Sequence, residues 1–164
     1  MRRRNMRKEK IQNYSARITQ ANRTELLVIM YEIIQEELSA ALNSYEESDM
    51  KEFDAALKNG QKFLGELMGT LDYQYTISYQ LISIYKFLNK TMIEARLRQQ
   101  AEHLAECIEI IDNIKKGFEG IVSEDTSGPL MRNVQKLYAG LTYGKGSLNE
   151  ISVNVHDGKR GLYA

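Results

Sequence analysis

Residues 50–71, MKEFDAALKNGQKFLGELMGTL, place an apolar or small residue at Met50, Phe53, Leu57, Gly60, Leu64, Leu67 and Leu71. The steps alternate between three and four residues throughout. A strand would repeat every second residue, so this is the seam of an amphipathic helix laid lengthwise on other helices. Such a seam needs helical neighbours to cover it. Ser48 or Asp49 can cap its N-terminus.

The flanking sequence supplies those neighbours. Upstream, Asn22 with Glu25 three residues on has the capping-box spacing. Leu26, Leu27, Ile29, Met30, Ile33, Ile34, Leu38, Ala41, Leu42 and Tyr45 follow as a broad helical stripe that ends near Asn43–Glu47. Downstream, a helix starting at Asp72 or Thr76 and reaching Ala95 repeats the seam at Leu81, Tyr85, Leu88, Met92 and Ala95, and Ile77, Ile84 and Phe87 widen it. A fourth helix carries Ala101, Leu104, Ile108, Ile111, Ile114 and Phe118 and stops at Gly117–Gly120. Helices of roughly 20 residues joined by loops of about 3–6 favour antiparallel neighbours. The expected fold is all-α: an antiparallel up-down four-helix bundle over residues 21–121. A basic N-terminal arm and cap segment, 1–20, precedes it, and a C-terminal extension, 122–164, follows. Thr126 or Ser127, followed by Gly128 and Pro129, signals a helix start, and Val134, Leu137, Tyr138 and Leu141 then share a face. The extension is therefore expected to hold a short helix near 129–143, packed on the bundle.

Composition narrows the function classes. The chain has 164 residues, 22 basic and 22 acidic, with one cysteine and one proline. One cysteine excludes a disulfide framework. The neutral total argues against a dedicated nucleic-acid domain. No apolar run approaches the length that spans a bilayer, and the basic opening MRRRNMRKEK is not followed by the apolar stretch of a secretory signal, so the expected compartment is the cytoplasm. The neutrality is itself uneven: residues 1–10 carry six positive charges and one negative, and residues 32–72 carry three positive and ten negative. Arg2, Arg3, Arg4, Arg7, Lys8 and Lys10 could each neutralise a phosphate. The plainer reading is an unstructured, solubilising terminus.

Catalysis finds no support in the residues. His103 and Cys107 share a helix face, but Cys107 sits between core positions, where a thiol behaves as a small hydrophobe. A di-metal carboxylate bundle needs Glu-x-x-His on two helices, and here His103 and Glu106 stand in the reverse order. No phosphate-binding glycine loop and no metal-spaced Cys/His set is present. The expectation is no enzyme, no cofactor and no metal.

Binding is better supported. Gly60 falls on the seam, where two helices can approach closely. Gly65 and Gly69 lie off it and leave a strip without side chains, either a neutral surface or the floor of a groove. Tyr73, Tyr75 and Tyr79 cluster at the entry to the third helix of the bundle, and Tyr31, Tyr45 and Tyr85 add more rings than one seam buries. Tyrosine suits binding surfaces because it joins a large apolar area to a polar tip.

Ala21-Asn22-Arg23-Thr24-Glu25-Leu26-Leu27-Val28-Ile29-Met30-Tyr31-Glu32 resembles the Ala-Ser-Pro-x-Glu-Leu-(apolar)₄-Tyr-Asp signature of the flagellar secretion chaperone family FliS. Gln61-Lys62-Phe63-Leu64-Gly65-Glu66-Leu67 and Leu71-Asp72 resemble that family's second block. Leu81-Ile82-Ser83-Ile84-Tyr85, Leu88 and Glu94-Ala95 resemble its third. Asn22 stands in place of the usual Ser and keeps a cap, while Arg23 replaces Pro. The resemblance covers about residues 11–121. It implies a cytoplasmic, non-enzymatic chaperone that holds the C-terminal segment of flagellin, prevents premature polymerisation and aids delivery to the flagellar type III export apparatus. A free monomer or weak dimer that enters no membrane is implied with it. Tyr14 and Ile18 match its N-terminal segment, which in the family can cover part of the groove until flagellin displaces it. Candidate partner-binding residues are Tyr14, Ile18, Leu26, Ile29, Met30, Ile33, Gly65, Gly69, Tyr75, Tyr79 and Tyr85. The alternative is a helical adaptor that binds a different protein through the same grooves.

Overall fold

The structure is a computed structural model that describes residues 2–126 and residue 128. The helix expected near 129–143 lies outside the described residues. Among the described residues five α-helices follow one another: α1 (Arg2–Gln20), α2 (Arg23–Glu46), α3 (Met50–Gly69), α4 (Thr76–Arg98) and α5 (Leu104–Glu119). A 3₁₀ turn over Val122–Glu124 follows, and no strand occurs among the described residues. The chain divides into two compact units, one of Thr24–Glu124 and one of Met1–Arg23 with Asp125–Ala164.

The larger unit is a helical bundle. Of its helices, α3 starts on a side-chain cap, while α4 and α5 start without one. α2 begins one residue after Asn22. Of the two capping candidates for α3, Asp49 acts: its carboxylate accepts the Glu52 N–H at 3.1 Å, while Ser48 turns the chain at φ 61°. α4 starts at Thr76 after an extended Tyr75, and runs three residues beyond the expected Ala95 to a left-handed Gln99 whose N–H bonds the Ala95 carbonyl. Arg96 and Arg98 in its last turn oppose the negative end of the helix dipole.

α3 and α4 run in opposite directions, and so do α2 and α5, as their side-chain pairs demonstrate. Arg96 Nε meets Asp54 Oδ1 at 2.8 Å, and Gln61 Nε2 meets Asn89 Oδ1 at 3.2 Å, so numbers fall along α4 as they rise along α3. Tyr31 stacks on Phe118 at 5.7 Å, and Gln35 Nε2 donates to Asp112 Oδ1 at 3.2 Å, giving the same sense for α2 and α5. Tyr45 and Phe53, 5.6 Å apart, join α2 to α3 near their shared turn. α2 is buried on most of its circumference in its first half, through Leu26, Val28, Ile29, Met30, Tyr31, Ile33 and Ile34. A helix apolar all round belongs inside. Gly60 marks the close approach expected of it: a Cβ there would stand 3.4 Å from Met92 Sδ and 3.8 Å from Glu37 Cβ.

Two expectations need correction. Residues 2–10, expected as an unstructured terminus, are helical within α1. The segment contains neither glycine nor proline, and its Arg, Lys, Gln and Met are good helix formers. Ile77 and Phe87 do not widen the core seam of α4; both are exposed, and Ile84 is half-buried.

The smaller unit is described by itself. Within it the Arg17 guanidinium lies 5.7 Å from the centre of the Tyr14 ring. Thr19 Oγ1 donates to the Ser15 carbonyl at 2.7 Å, and Asn22 Nδ2 reaches the Asp125 carbonyl at 3.4 Å. Ile18 and Ala21 are buried.

Candidate functional site

The turn from α3 to α4 is tightly specified. Thr70 closes α3, its N–H and hydroxyl both directed at the Leu67 carbonyl, 3.1 and 2.7 Å away. Asp72 then organises the next residues. Its carboxylate accepts the Gln74 N–H at 3.0 Å, and its carbonyl accepts the Tyr75 N–H at 3.1 Å and the Ser78 hydroxyl at 2.5 Å. A short aspartate that bonds the backbone two residues on is the means by which such turns are set. The fixed turn carries a group of aromatic rings outward. Tyr73 and Tyr79 are tilted against each other at 5.3 Å, and Tyr75 is 65% and Tyr79 58% exposed.

Beside this turn, the last two turns of α3 carry Gly65 and Gly69. Both are exposed, and a Cβ on either would meet nothing within 4 Å. On α4 the apolar series continues outside the core through Ile77, Phe87, Ile93 and Leu97, the last 81% exposed. By the helical period, Tyr79, Ile82, Lys86, Ile93 and Leu97 fall on one flank of α4, and Ile77, Ile84, Phe87 and Thr91 on the other. The first flank, with Tyr79, Ile93 and Leu97 exposed along it, has the character of a partner surface.

The structure therefore separates the residues that sequence reasoning grouped together. Gly65, Gly69, Tyr75 and Tyr79 lie at the surface about the α3–α4 turn. Leu26, Ile29, Met30 and Ile33 are buried. Tyr85 is buried too, and its hydroxyl is hydrogen-bonded to that of Tyr31. Tyr14, half-buried, and Ile18, buried, belong to the smaller unit. Sequence reasoning did not single out Ile93 and Leu97. The signal was present in the apolar width of the helix, but periodicity does not say which part of a wide stripe has a neighbour.

The titratable groups inside the bundle are arranged for packing. Burial pushes the Tyr31 and Tyr85 hydroxyls above their ordinary range. Burial likewise pushes the Cys107 thiol up to about 11, against a smaller opposing hydrogen bond with Thr91. A protonated, buried thiol is a poor nucleophile. His103 is exposed and stands 3.9 Å from Glu106, its own neighbour on the helix. Among the described residues no group of three or more His, Cys, Asp or Glu side chains could hold a metal ion. No described helix is long and apolar enough to cross a membrane.

Among known protein families, the model described as FliS, flagellar protein FliS, matches residues 6–125. No curated protein matches the chain.

Proposed function

The chain belongs to the FliS family of flagellar export chaperones, and from that premise we propose that it binds the C-terminal segment of flagellin in the cytosol, blocks premature polymerisation and aids delivery to the export apparatus. The frame is read as an up-down four-helix bundle. The observation that carries the proposal is the apolar series left outside the core along α4, ending at the 81% exposed Leu97. An amphipathic segment that self-associates must have its apolar face covered until it is needed, and a helical groove is a suitable cover. Ordering a flexible chain costs several kcal/mol, so the receiving surface must offer a large apolar area. In this reading Gly65 and Gly69 let the guest backbone come close, while Tyr75 and Tyr79 supply apolar area with hydroxyls that stay wet. Leu26, Ile29, Met30, Ile33 and Tyr85 act from beneath by holding the helices that present this surface.

The test is titration of the purified chain with flagellin and with flagellin lacking its C-terminal helical segment. A 1:1 complex with the first and none with the second is expected. Equal binding to both would refute the proposal. Leu97→Asp is expected to weaken the complex at least about tenfold while leaving the thermal melt in place, since it removes only exposed apolar area.

A further inference from the structure

We propose that α1 is an RNA-binding arm, whose cations at residues 2–10 contact the phosphates of single-stranded RNA. The proposal is independent of the chaperone reading and rests on charge, helicity and composition. Resolved by compact unit, the neutral total becomes two large opposite charges. Residues 24–124 carry nine basic and 18 acidic residues, and the remaining residues carry 13 basic and four acidic. The absence of net charge, which argued against nucleic-acid binding, is a cancellation between units. Six of the 13 cations, Arg2, Arg3, Arg4, Arg7, Lys8 and Lys10, stand within nine residues beside one anion, Glu9.

Helicity concentrates them. Arg2–Gln20 is one continuous helix, so at the α-helical rise these six cations occupy about 12 Å of axis. Arg3 and Arg7, Arg4 and Lys8, Arg4 and Arg7, and Arg7 and Lys10 are three or four positions apart in the sequence. Like charges at those spacings destabilise a helix. The first turn contains no acidic residue to offset the positive end of the helix dipole. The segment thus holds a charge density that works against its own helicity, and a polyanion relieves that repulsion.

The composition distinguishes among polyanions. An interfacial helix on anionic lipid must bury an apolar face, and residues 2–10 offer Met6 alone. Arginine outnumbers lysine four to two in this stretch. Guanidinium groups bind phosphate through paired hydrogen bonds and stack on bases. Bases open to stacking are found in single-stranded RNA, the form that proteins recognise through such contacts.

The experiment is fluorescence anisotropy of the full chain with a labelled single-stranded oligouridylate over a salt series. The same measurement is made with the DNA counterpart, and co-sedimentation is run with phosphatidylglycerol vesicles. Six phosphate contacts predict a slope of log K against log salt of about −4. In the variant R2Q/R3Q/R4Q/R7Q two lysines remain, so the slope falls to about −1.5 and affinity at low salt drops at least about tenfold. Glutamine keeps helix propensity, and an unchanged far-UV circular dichroism spectrum with a thermal melt no lower than that of the unsubstituted chain certifies the fold of the variant. Absence of RNA binding by the full chain at low salt overturns the proposal. So does equal affinity of the variant, tighter binding to the DNA, or binding to the vesicles with the RNA left free.

Discussion

Phe87 and Leu88 are consecutive on α4 and both are large hydrophobes, yet Phe87 is 47% exposed and Leu88 is 1% exposed. The split runs the length of the helix. Leu81, Tyr85, Leu88, Met92 and Ala95 are buried, while Ile77, Tyr79, Phe87, Ile93 and Leu97 are exposed. The inner set recurs every three or four residues and closes the bundle by itself. The outer set stays at least one-third exposed. A single exposed hydrophobe is ordinary on a soluble protein, but a series along one helix is not. The contrast separates two tasks on one helix, with folding on its inner stripe and binding on its outer flanks.

The sharpest way to break this comparison is to truncate its two neighbours. Leu88→Ala removes a fully buried side chain and should cost about 2–5 kcal/mol in urea unfolding. Phe87→Ala should cost under about 1 kcal/mol, because its ring is partly in water already. In flagellin titrations the order should reverse once each variant is measured well below its melting temperature. Equal destabilisation by the two substitutions would make the outer stripe part of the core.

The tyrosines give the next largest contrast. Tyr31 and Tyr85 bury their hydroxyls against each other in the middle of the bundle. Tyr85→Phe leaves the Tyr31 hydroxyl buried without its partner and should cost about 1–3 kcal/mol. The double variant Y31F/Y85F should cost less than the sum of the two single variants, since no orphan hydroxyl remains. The exposed Tyr79→Phe should leave stability almost unchanged. A double-mutant cycle by thermal unfolding decides. Strict additivity would mean that the buried hydroxyl pair is not a coupled unit.

Much of this architecture was legible in the residues. Starts at Asn22, at Ser48 or Asp49, at Asp72 or Thr76 and near Ala101 were read from caps and period, and the helices begin at Arg23, Met50, Thr76 and Leu104. The core line through Phe53, Leu57, Gly60, Leu64 and Leu67 was legible for the same reason: a repeat of three and four admits only one face. α1 was not legible as a helix, because its charges hide any apolar period and like-charge crowding reads as an open chain. The candidate surface was half legible. Tyr75 and Tyr79 announced themselves through residue type, whereas Ile77 and Phe87 were assigned to the core. Their exposure depends on which flanks of α4 have a neighbour, a fact of packing that no single helix encodes.

Glycines sharpen the same inner and outer contrast at smaller scale. At Gly65 and Gly69 an added methyl meets nothing within 4 Å. Alanine there should raise stability by up to about 1 kcal/mol each, through helix propensity alone. Gly60→Ala should gain less, because its methyl arrives 3.4 Å from Met92 Sδ. If the strip is the floor of a groove, the G65A/G69A variant melts higher and binds flagellin more weakly. If affinity is unchanged while stability rises, the strip is neutral surface and the outer side of α3 has no part in binding.

The smallest effect belongs to the boundary between the two stripes. Arg96 lies at that boundary on α4, and its Nε is 2.8 Å from Asp54 Oδ1 on α3. Lys58 first, 2.7 Å away, and then Arg96 hold the Asp54 carboxyl below the ordinary carboxylate range. Because the folded pKa is the lower one, the stabilisation is present above the unfolded value of 3.8 and is lost as pH falls through the folded value. Once both states are protonated, nothing of it remains. The carboxylate is well hydrated, so screening keeps the effect modest. Acid-limb melting curves should therefore fall slightly less steeply for Asp54→Asn than for the unsubstituted chain, and the difference should shrink in high salt. Identical acid limbs would remove this pair from the forces that align α3 with α4, and would leave that alignment to the Arg96–Gln61 and Gln61–Asn89 bonds and the apolar seam.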